Sequence, residues 1–551
     1  MGDSLPLELY YKEMILMADL SKVKYLFNKA KEEKEKIKPV YNDILELTDA
    51  FQVIKDEGKL ELGSMRDTVD SEVLSSIDAL CSYIMSSVLT KNGQFASLDL
   101  NELKIKEMYG EENYQKIYDE VNAVLDQDIA RTFNYIQNSN YYAEISKAVR
   151  DFVVCGTGCY SIRETGIPST PFLFEYVGLD NLYILNDNFS RPNIVFKKHP
   201  EVNAEYLRDV FGADIKLKEI TEEQFDKNID VYECVIPMYD ELTALTKYRY
   251  LVVDGQFTDI LLEKELEYNP FVVFLWNTVQ GTSWGVSIVL NQKNLLKDLN
   301  KYKAMFQRQA TLIANPPRMF IGNAELFDSL SLDEGSLNYG GDVTHGDVPP
   351  QISTIGSNQN LMPLDKVIQE LLARFKNAIM VTHLQMNIED AKYSTATAVQ
   401  ILHETFRRRF ANTYELINEQ LVKQTFMSPF IIMLKTGVLA LKQDVLPYVG
   451  VKYVSELTKV SNSNSVNKLM TYLSTANNVQ QLNANGVAVN LSKALPFIAD
   501  MLEINKELVP SESELEEIQE AQRQQALAQM QAQQQAVMAE AMAGEEEQPT
   551  E

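Results

Sequence analysis

Apolar residues recur at two different periods along the 551-residue chain, and the change of period marks its central segment. Residues 269–276, Asn-Pro-Phe-Val-Val-Phe-Leu-Trp, are apolar on both faces, which predicts a buried strand. After Trp284-Gly285 the apolar positions recur every three or four residues, which predicts a helix with one apolar seam. These positions are Leu295, Leu299, Tyr302, Phe306 and Ile313. Pro316-Pro317 end this helix at Asn315, because proline removes a backbone donor and restricts the preceding residue.

A second helix follows a segment rich in glycine and proline. Residues 318–360 predict a compact lobe of short strands and turns, and Pro363 marks its end. Apolar positions then recur at helical spacing. They are Leu364, Val367, Ile368, Leu371, Leu372, Phe375, Ala378 and Ile379. On pattern alone, the two helices also fit an antiparallel hairpin in any α-rich protein.

The first half of the chain mixes helices with alternating strands. Helical spacing predicts helices over residues 5–57, 73–88, 114–137 and 142–154, and a short one over 202–211. Period-two alternation predicts an antiparallel sheet of strands at 172–177, 182–185, 194–197, 231–237 and 248–253. The predicted fold class is therefore α+β, mainly helical.

After the second central helix, residues 382–393 are polar and predict a loop. A helix of some forty residues follows, with one apolar stripe from Val399 to Leu421 and a kink expected at Pro429. Residues 438–510 are helix-rich with frequent breaks. Ser511 caps a last helix whose Gln- and Ala-rich part either associates with other helices or is disordered.

Three segments carry a family resemblance: NPFVVFLWNTVQGTSWGVS at 269–287, ANPPRMF at 314–320 and STATAVQILHETFRRR at 394–409. In this order they resemble bacteriophage portal proteins, the head-to-tail connectors of short-tailed phages. The resemblance covers residues 67–435. Two positions depart from the family pattern: Leu275 stands where arginine is frequent, and Ser287 where glycine is frequent.

The resemblance implies a portal-type subunit with a wing, a stem, a clip and a crown. The implied segments are a wing over 1–285, stem helix 1 over 286–315, a clip over 316–362, stem helix 2 over 363–381, a tunnel loop over 382–394, a long kinked wing helix over 395–437, a crown over 438–510, a C-terminal barrel helix over 511–543 and an acidic tail over 544–551.

The resemblance also implies a ring of identical copies, a dodecamer, at the portal vertex of the virion. Such a ring passes double-stranded DNA during packaging and ejection, and meets major capsid and scaffolding proteins, the terminase and tail adaptors. It is assembled in the host cytoplasm. The implied DNA-facing tunnel loop contains Thr382, His383, Leu384, Gln385, Met386 and Asn387. The stem residues expected to pack between subunits are Leu295, Leu299, Tyr302, Phe306, Leu371 and Phe375.

Charge constrains how the chain meets nucleic acid. The net charge is −27, which argues against nucleic-acid binding through a general basic surface. A channel with the same sign of charge as the phosphates would still let a duplex slide through it. Lys293, Lys297 and Lys301 share one face of the first stem helix, with Arg308 nearby. This face either forms basic rings in the channel or pairs with carboxylates of neighbouring stems. For Arg407-Arg408-Arg409, ion pairing between or within chains is the alternative to DNA contact.

No motif in the sequence predicts catalysis, a metal or a cofactor. Phosphate-loop, nucleophile-elbow and zinc-protease motifs are missing, and the Gly156-Thr-Gly158 turn follows a helix and has no lysine. The C-x3-C pair Cys155 and Cys159 lacks further zinc ligands, and Glu389-Asp390 is a weak magnesium candidate. Neither a signal peptide nor a membrane span is predicted. The alternatives to a portal are a helical scaffold or adaptor without a channel, and a nucleic-acid-processing enzyme with an unrecognised site.

Overall fold

The computed structural model describes residues 7–48, 70–89, 91, 93–100, 114–212, 215, 229–239, 246–321, 331, 333–339, 351–354, 361–384, 408–441 and 449–453. Within these ranges the fold is mixed helix and sheet, which confirms the α+β class. The predicted C-terminal barrel helix, the acidic tail and nearly all of the predicted crown lie outside the described residues.

The described helices follow the predicted order. They are α1 Leu7–Thr48, α2 Ser71–Val88, α3 Tyr114–Asn138, α4 Tyr141–Val154, α5 Ala204–Phe211, α6 Lys293–Ala314, α7 Met362–Ala378, α8 Val381–Leu384, α9 Ala411–Ile417 and α10 Lys423–Lys435. The bounds of α2 to α5 lie within two residues of the predictions, and α1 is described as far as Thr48 of a helix predicted over 5–57. The helix α6 begins at Lys293, after the expected start of stem helix 1 at residue 286, and α7 ends at Ala378, before the expected end of stem helix 2 at residue 381. The start of α2 is capped by Asp70, whose side chain accepts the Glu72 N–H at 2.7 Å.

The strands form four sheets. They are β1 Ala96–Leu100, β2 Thr157–Ile167, β3 Thr170–Tyr176, β4 Leu182–Leu185, β5 Ile194–Val202, β6 Ile229–Tyr239, β7 Thr246–Asp254, β8 Ile260–Leu266, β9 Phe271–Leu275, β10 Arg318–Ile321, β11 Leu337–Tyr339, β12 Gln351–Thr354 and β13 Val449–Tyr453. Their orders are β1-β13, β3-β2-β9, β4-β5-β6-β7-β8 and β11-β10-β12. The last sheet has β10 parallel to β11 and antiparallel to β12.

The prediction of a single antiparallel sheet in the first half is wrong, because the strands divide between two sheets. The buried strand predicted at 269–276 is β9, which pairs with β2 from 110 or more residues earlier in the chain. The strand β13 also lies in a region predicted to be helix-rich, and its partner β1 was not predicted. Both are five residues long, so their alternation is too short to stand out from the surrounding pattern.

Side chains close both edges of the β3-β2-β9 sheet. On β3, the Asn140 amide accepts the Phe174 N–H at 3.0 Å and donates to its carbonyl at 2.7 Å, and Glu144 accepts the Tyr176 N–H at 3.1 Å. On β9, the Gln420 carbonyl oxygen accepts the Leu275 N–H at 2.8 Å. These contacts satisfy edge groups that would otherwise be open to pairing with another strand.

The five-stranded sheet carries α1 across one face. Phe27 of α1 is buried against Tyr183, Phe196, Tyr232 and Phe257, with ring centroids 4.7 to 5.6 Å apart. Aromatic clusters of this kind bury large areas and favour edge-on and tilted contacts. The helix is therefore fixed to the sheet well before it reaches the central helices.

A network of ion pairs joins the β3-β2-β9 sheet to the five-stranded sheet. Glu175 of β3 lies 2.7 Å from both Arg163 of β2 and Lys197 of β5. Glu233 of β6 accepts a hydrogen bond from His199 at 2.5 Å. Burial alone would disfavour the Glu233 carboxylate, but Lys197, His199 and Arg163 outweigh it and hold its pKa well below the usual range. The carboxylates of Glu175 and Glu233 therefore have cationic partners on the neighbouring strands, which stabilises the contact between the two sheets.

The helix after the predicted tunnel loop differs from the expected single forty-residue helix. Phe410 leaves helical geometry before α9, and residues Asn418–Val422 form a π-helix between α9 and α10. Helical structure continues through Pro429, so the irregular turn precedes the position where the kink was expected. The π-helix adds a residue to the turn facing β9, and Gln420 lies in it. This geometry brings the amide to the sheet edge.

Candidate functional site

The candidate functional site is the pair of central helices, α6 and α7, with the elements that hold them. The chain leaves α6 at Ala314, forms the β11-β10-β12 sheet and returns through α7 at Met362. We call α6 and α7 together the stem hairpin, and we call its ends proximal, near Lys293 and Ala378, and distal, near Ala314 and Met362. The two helices pack on each other along their apolar seams.

Two glycines fix the point from which the stem hairpin starts. The Trp276 N–H donates to the Gly156 carbonyl at 2.9 Å, and Gly156 has φ of +107°. A Cβ on Gly285 would lie 2.0 Å from that same carbonyl oxygen, so no side chain fits there. The Gly156-Thr-Gly158 segment and the Trp284-Gly285 pair, which lie far apart in the sequence, therefore form one close backbone crossing.

Hydroxyl groups complete this crossing. Tyr41 of α1 donates to the Gly285 carbonyl at 2.6 Å, and Thr157 accepts the Gly285 N–H at 2.9 Å. The Ser287 hydroxyl donates to the Val154 carbonyl at 2.7 Å and accepts the Leu290 N–H at 2.8 Å. Ser287, a departure from the family pattern, thus caps the turn that leads into α6. Sequence reasoning missed Tyr41 and Thr157, because contacts across more than a hundred residues leave no local pattern.

Ion pairs attach the proximal stem hairpin to α1 and α2. Asp43 of α1 lies 3.1 Å from Lys293 and 3.2 Å from Lys297, and these hydrogen bonds hold the Asp43 pKa below its usual range. Lys303 contacts the α2 cap Asp70, and Lys376 lies 2.9 Å from Glu72. Both stem helices are therefore tied to the first turn of α2, which sets their relative level.

The four residues predicted as basic channel rings separate into two pairs. Lys293 and Lys297 are ion-paired with Asp43 of the same chain. Lys301 and Arg308 are exposed, and within the described ranges neither has an ion-pair partner. The four side chains thus do not have the same electrostatic environment, although they share one face of α6.

The six residues predicted to pack between subunits also separate. Leu299 and Phe375 are fully buried within one chain. The other four are partly buried against the same core: Leu295, Tyr302, Phe306 and Leu371. Most of the apolar seam that the sequence predicts is therefore covered by the chain itself, at the proximal end above all.

The segment predicted as the tunnel loop begins as a short helix. The loop prediction is wrong for Thr382, His383 and Leu384, which belong to α8, because Val381 is buried and starts this helix after the turn. Gln385, Met386 and Asn387 lie outside the described residues. The turn between α7 and α8 places Met380 at φ of +65°, a costly conformation for a side chain other than glycine. Arg409 Nη1 lies 2.8 Å from Met380 Sδ and braces this turn.

Of the arginine run, Arg408 and Arg409 are exposed and Arg407 lies outside the described residues. Cys155 and Cys159 are buried thiols beside the glycine crossing. In the part of the chain that the structure describes, no group of three or more Cys, His, Asp or Glu side chains is placed to hold a metal ion. No described helix is long and apolar enough to span a bilayer.

Comparison with known proteins gives one family. The model of the bacteriophage head to tail connecting proteins matches residues 20–509, which is most of the chain and contains every described element except part of α1. No curated protein matches the chain. The matched range spans the β3-β2-β9 sheet, the five-stranded sheet, the glycine crossing and the whole stem hairpin. The chain belongs to the family of bacteriophage head to tail connecting proteins.

Proposed function

We propose that the chain is the portal subunit of a short-tailed phage. Identical copies form a ring, with twelve copies as the resemblance implies, at one vertex of the capsid. The ring encloses a channel through which double-stranded DNA enters the head during packaging and leaves during ejection. Family membership supports this proposal, because a protein that connects head to tail stands where DNA passes between them.

The observation that carries the proposal is the uneven burial of the stem hairpin. Leu299 and Phe375 at its proximal end are 0% exposed, whereas Met305 is 43% exposed and Met362, the first residue of α7, is 66% exposed. Leu337, which begins β11, is 43% exposed. Apolar side chains left exposed along the distal half of a hairpin and on the sheet beyond it are typical of a surface that other copies cover.

The proposed mechanism is geometric. The described elements before α6 form the wing, α6 and α7 form the stem, and the β11-β10-β12 sheet belongs to the clip. The segment from Thr382 to Asn387, which begins in α8, occupies the tunnel-loop position of the family and touches the duplex at the narrowest point of the channel. A net charge of −27 on each copy makes the ring repel phosphate, so DNA slides without being held.

The remaining parts of the chain take the positions of the family's other segments. Residues 438–510 form the crown, and residues 511–543 form helices that bundle around the ring axis, followed by an acidic tail. The clip docks the terminase during packaging and the tail adaptors afterwards. Major capsid and scaffolding proteins meet the ring at the vertex during assembly. In this proposal the chain has no catalytic residue, cofactor or metal.

Lys301 and Arg308 have two possible partners in such a ring. On the channel side they would contact DNA phosphates through weak, salt-sensitive interactions. On the subunit side Arg308 would meet a carboxylate of the next stem. The first arrangement predicts that charge reversal at either residue lowers DNA retention, and the second predicts that charge reversal at Arg308 lowers ring assembly.

End-on electron microscopy of the purified protein tests the proposal. We expect closed rings with a central opening wide enough for a duplex. Fibres or compact dimers would contradict it and favour a helical scaffold or adaptor. Nuclease or ATPase activity that follows the purified chain through chromatography would favour a nucleic-acid-processing enzyme instead.

A further inference from the structure

The outward face of α6 is the surface of this helix that points away from α7. It carries Lys301, Met305 and Arg308, which are spaced four and three residues apart and therefore lie on one side of the helix. All three are exposed. Lys293 and Lys297 continue the same face towards the proximal end, where both pair with the single carboxylate of Asp43. The distal part of this face keeps its positive charge.

The outward face of α7 is its counterpart on the other side of the stem hairpin. Glu370, Ala373 and Asn377 are exposed and lie opposite the buried stripe of Ile368, Leu372 and Phe375. Glu370 pairs with Arg374 of the same helix at 2.5 Å. The Glu370 side chain is 60% exposed and the Arg374 side chain is 65% exposed. A carboxylate has room for a second guanidinium group on its free lone pairs.

The anchoring of the stem hairpin sets these two faces at comparable heights. Lys303 and Lys376 contact Asp70 and Glu72 in the first turn of α2, so these two lysines mark roughly one level. Arg308 lies five residues beyond Lys303, about 7.5 Å towards the distal end at 1.5 Å per residue. Glu370 lies six residues from Lys376 in the same direction, about 9 Å. The two side chains are therefore level to within about one residue.

We propose that the outward face of α6 of one copy packs on the outward face of α7 of the next copy, with Arg308 of one copy paired to Glu370 of its neighbour. This inference rests on the proposed ring. Hairpins standing side by side around an axis bring an α6 of one copy against an α7 of the next. Exposed, oppositely charged groups at the same height then meet without any change within either helix.

Met305 favours this assignment over a channel-lining face. It lies between Lys301 and Arg308 and is 43% exposed, and methionine is enriched where proteins meet. Ala373 of α7 lies within one turn of Glu370 and leaves space for a large neighbouring side chain. Lys301, two turns closer to the wing than Arg308, is level with the neutral Asn377 and does not take part in the pair.

Charge reversal and charge exchange test the inference. The variants are Arg308→Glu, Glu370→Arg, the double variant with both changes, and Lys301→Glu as a control with the same charge change on the same face. Ring content is measured by sedimentation velocity and end-on microscopy, and thermal unfolding of the single chain checks that each variant folds. Each single reversal at the pair is expected to weaken assembly at least about tenfold, because it brings like charges together.

The double variant is expected to recover rings, and Lys301→Glu is expected to form rings as the unsubstituted protein does. Rings at full yield in Arg308→Glu, no recovery in the double variant, or equal loss in Lys301→Glu would each overturn the pair. These outcomes would not contradict the proposed ring, because the unsubstituted protein would still form closed rings. If the unsubstituted protein itself forms no rings, the proposed function fails.

Discussion

The two ends of the stem hairpin share one sequence pattern and differ in what covers it. At the proximal end the seam of α6 and α7 is buried, α1 packs on α6 and α2 packs on α7, and lysines on the flanks are paired with Asp43 and Glu72. In the distal half, Met305 and Met362 are exposed, as is Arg308, which has no ion-pair partner among the described residues. A periodic apolar seam therefore indicates that a helix packs against another element. Only the contacts in the structure show whether that element belongs to the same chain.

This difference assigns separate roles to the two ends. The proximal end is completed within one copy and contributes to the stability of the single chain. The distal end contributes little to that stability and is available to other copies. Substitutions that act at one end and not the other therefore test the comparison, and we order them from the largest expected effect to the smallest.

The largest effect is expected from Gly285→Ala at the proximal crossing. The added Cβ would lie 2.0 Å from the Gly156 carbonyl oxygen, and neither backbone can move without breaking the hydrogen bonds of Tyr41 and Thr157. We expect the free energy of unfolding to fall by about 4 kcal/mol or more, in the range of severe core disruptions. Chemical denaturation of the purified chain measures it.

Gly281→Ala is the matched control for that substitution. Gly281 has a positive φ of +87°, unlike Gly285, and nothing lies within 4 Å of a Cβ built on it. Only backbone strain is added, so a loss of about 1 to 2 kcal/mol is expected. Equal losses for the two glycines would show that the crossing is not tightly packed.

Alanine substitution of one large side chain at each end gives the most direct contrast. Phe375→Ala removes a ring that is 0% exposed, and we expect the single chain to lose about 3 to 5 kcal/mol of unfolding free energy. Met362→Ala removes a side chain that is 66% exposed, and we expect a change within about 0.5 kcal/mol. Ring yield of Met362→Ala is expected to fall although its stability does not. A large loss of single-chain stability in Met362→Ala would contradict the contrast.

A pH-dependent effect is expected from Lys34, which holds α1 on the five-stranded sheet. Lys34 is 7% exposed, donates to the Asp180 carbonyl and lies 3.9 Å above the Tyr183 ring. Burial lowers its pKa to about 7 from an ordinary 10.5. Between these values the unfolded chain binds more protons than the folded one, so stability rises with pH. From pH 7 to pH 9 the gain is expected to reach about 2 kcal/mol.

Lys34→Met removes this titration and should flatten stability over the same pH range. Lys24→Met is the control, because Lys24 donates to the Gln256 carbonyl from an exposed position on the same helix. Stability of the control should still rise with pH as in the unsubstituted protein. Urea unfolding at a series of pH values measures all three proteins, and an unchanged slope in Lys34→Met would exclude Lys34 as its source.

The smallest effect is expected from Asp43→Asn. The Asp43 carboxylate faces Lys293 and Lys297 but is 43% exposed, so solvent screens the pairs and their loss should cost about 1 kcal/mol or less. The cost should shrink as salt is added. Because the pKa of Asp43 is lowered by its lysines, this contribution is present above the ordinary carboxyl pKa and is lost as pH falls through the lowered value. A cost that does not depend on salt would point to packing.

Local pattern was enough to predict the elements of this protein and not their contacts. Periodicity identified α6 and α7, because burial of one helix face repeats along the sequence, and an unbroken apolar run identified the buried strand β9. The split of the first-half strands into two sheets, the closing of β9 by Gln420 and the contact of Asp43 with two stem lysines depend on residues far apart in the chain. The π-helix at Asn418–Val422 was missed for the same reason, since the strand edge it serves lies elsewhere.

The candidate site was predicted in part. The lysine face of α6 followed from spacing alone, yet spacing gave no sign that both lysines of its proximal half pair with Asp43. In the sequence Gly156 belongs to a predicted turn and Gly285 marks the change of period, and only the fold shows that the two meet. Ser287 illustrates the limit of resemblance, because a departure from the family pattern is here the residue whose hydroxyl caps the entrance to α6.

Hydrogen–deuterium exchange of the stem hairpin, in dilute single chains and in assembled protein, tests the central claim most directly. We predict that the proximal amides of α6 and α7 are protected equally in both states. We predict that amides near Met305, Arg308 and Met362 exchange fast in the single chain and become protected on assembly. Protection of the distal end that is the same in both states would contradict the claim that neighbouring copies complete it.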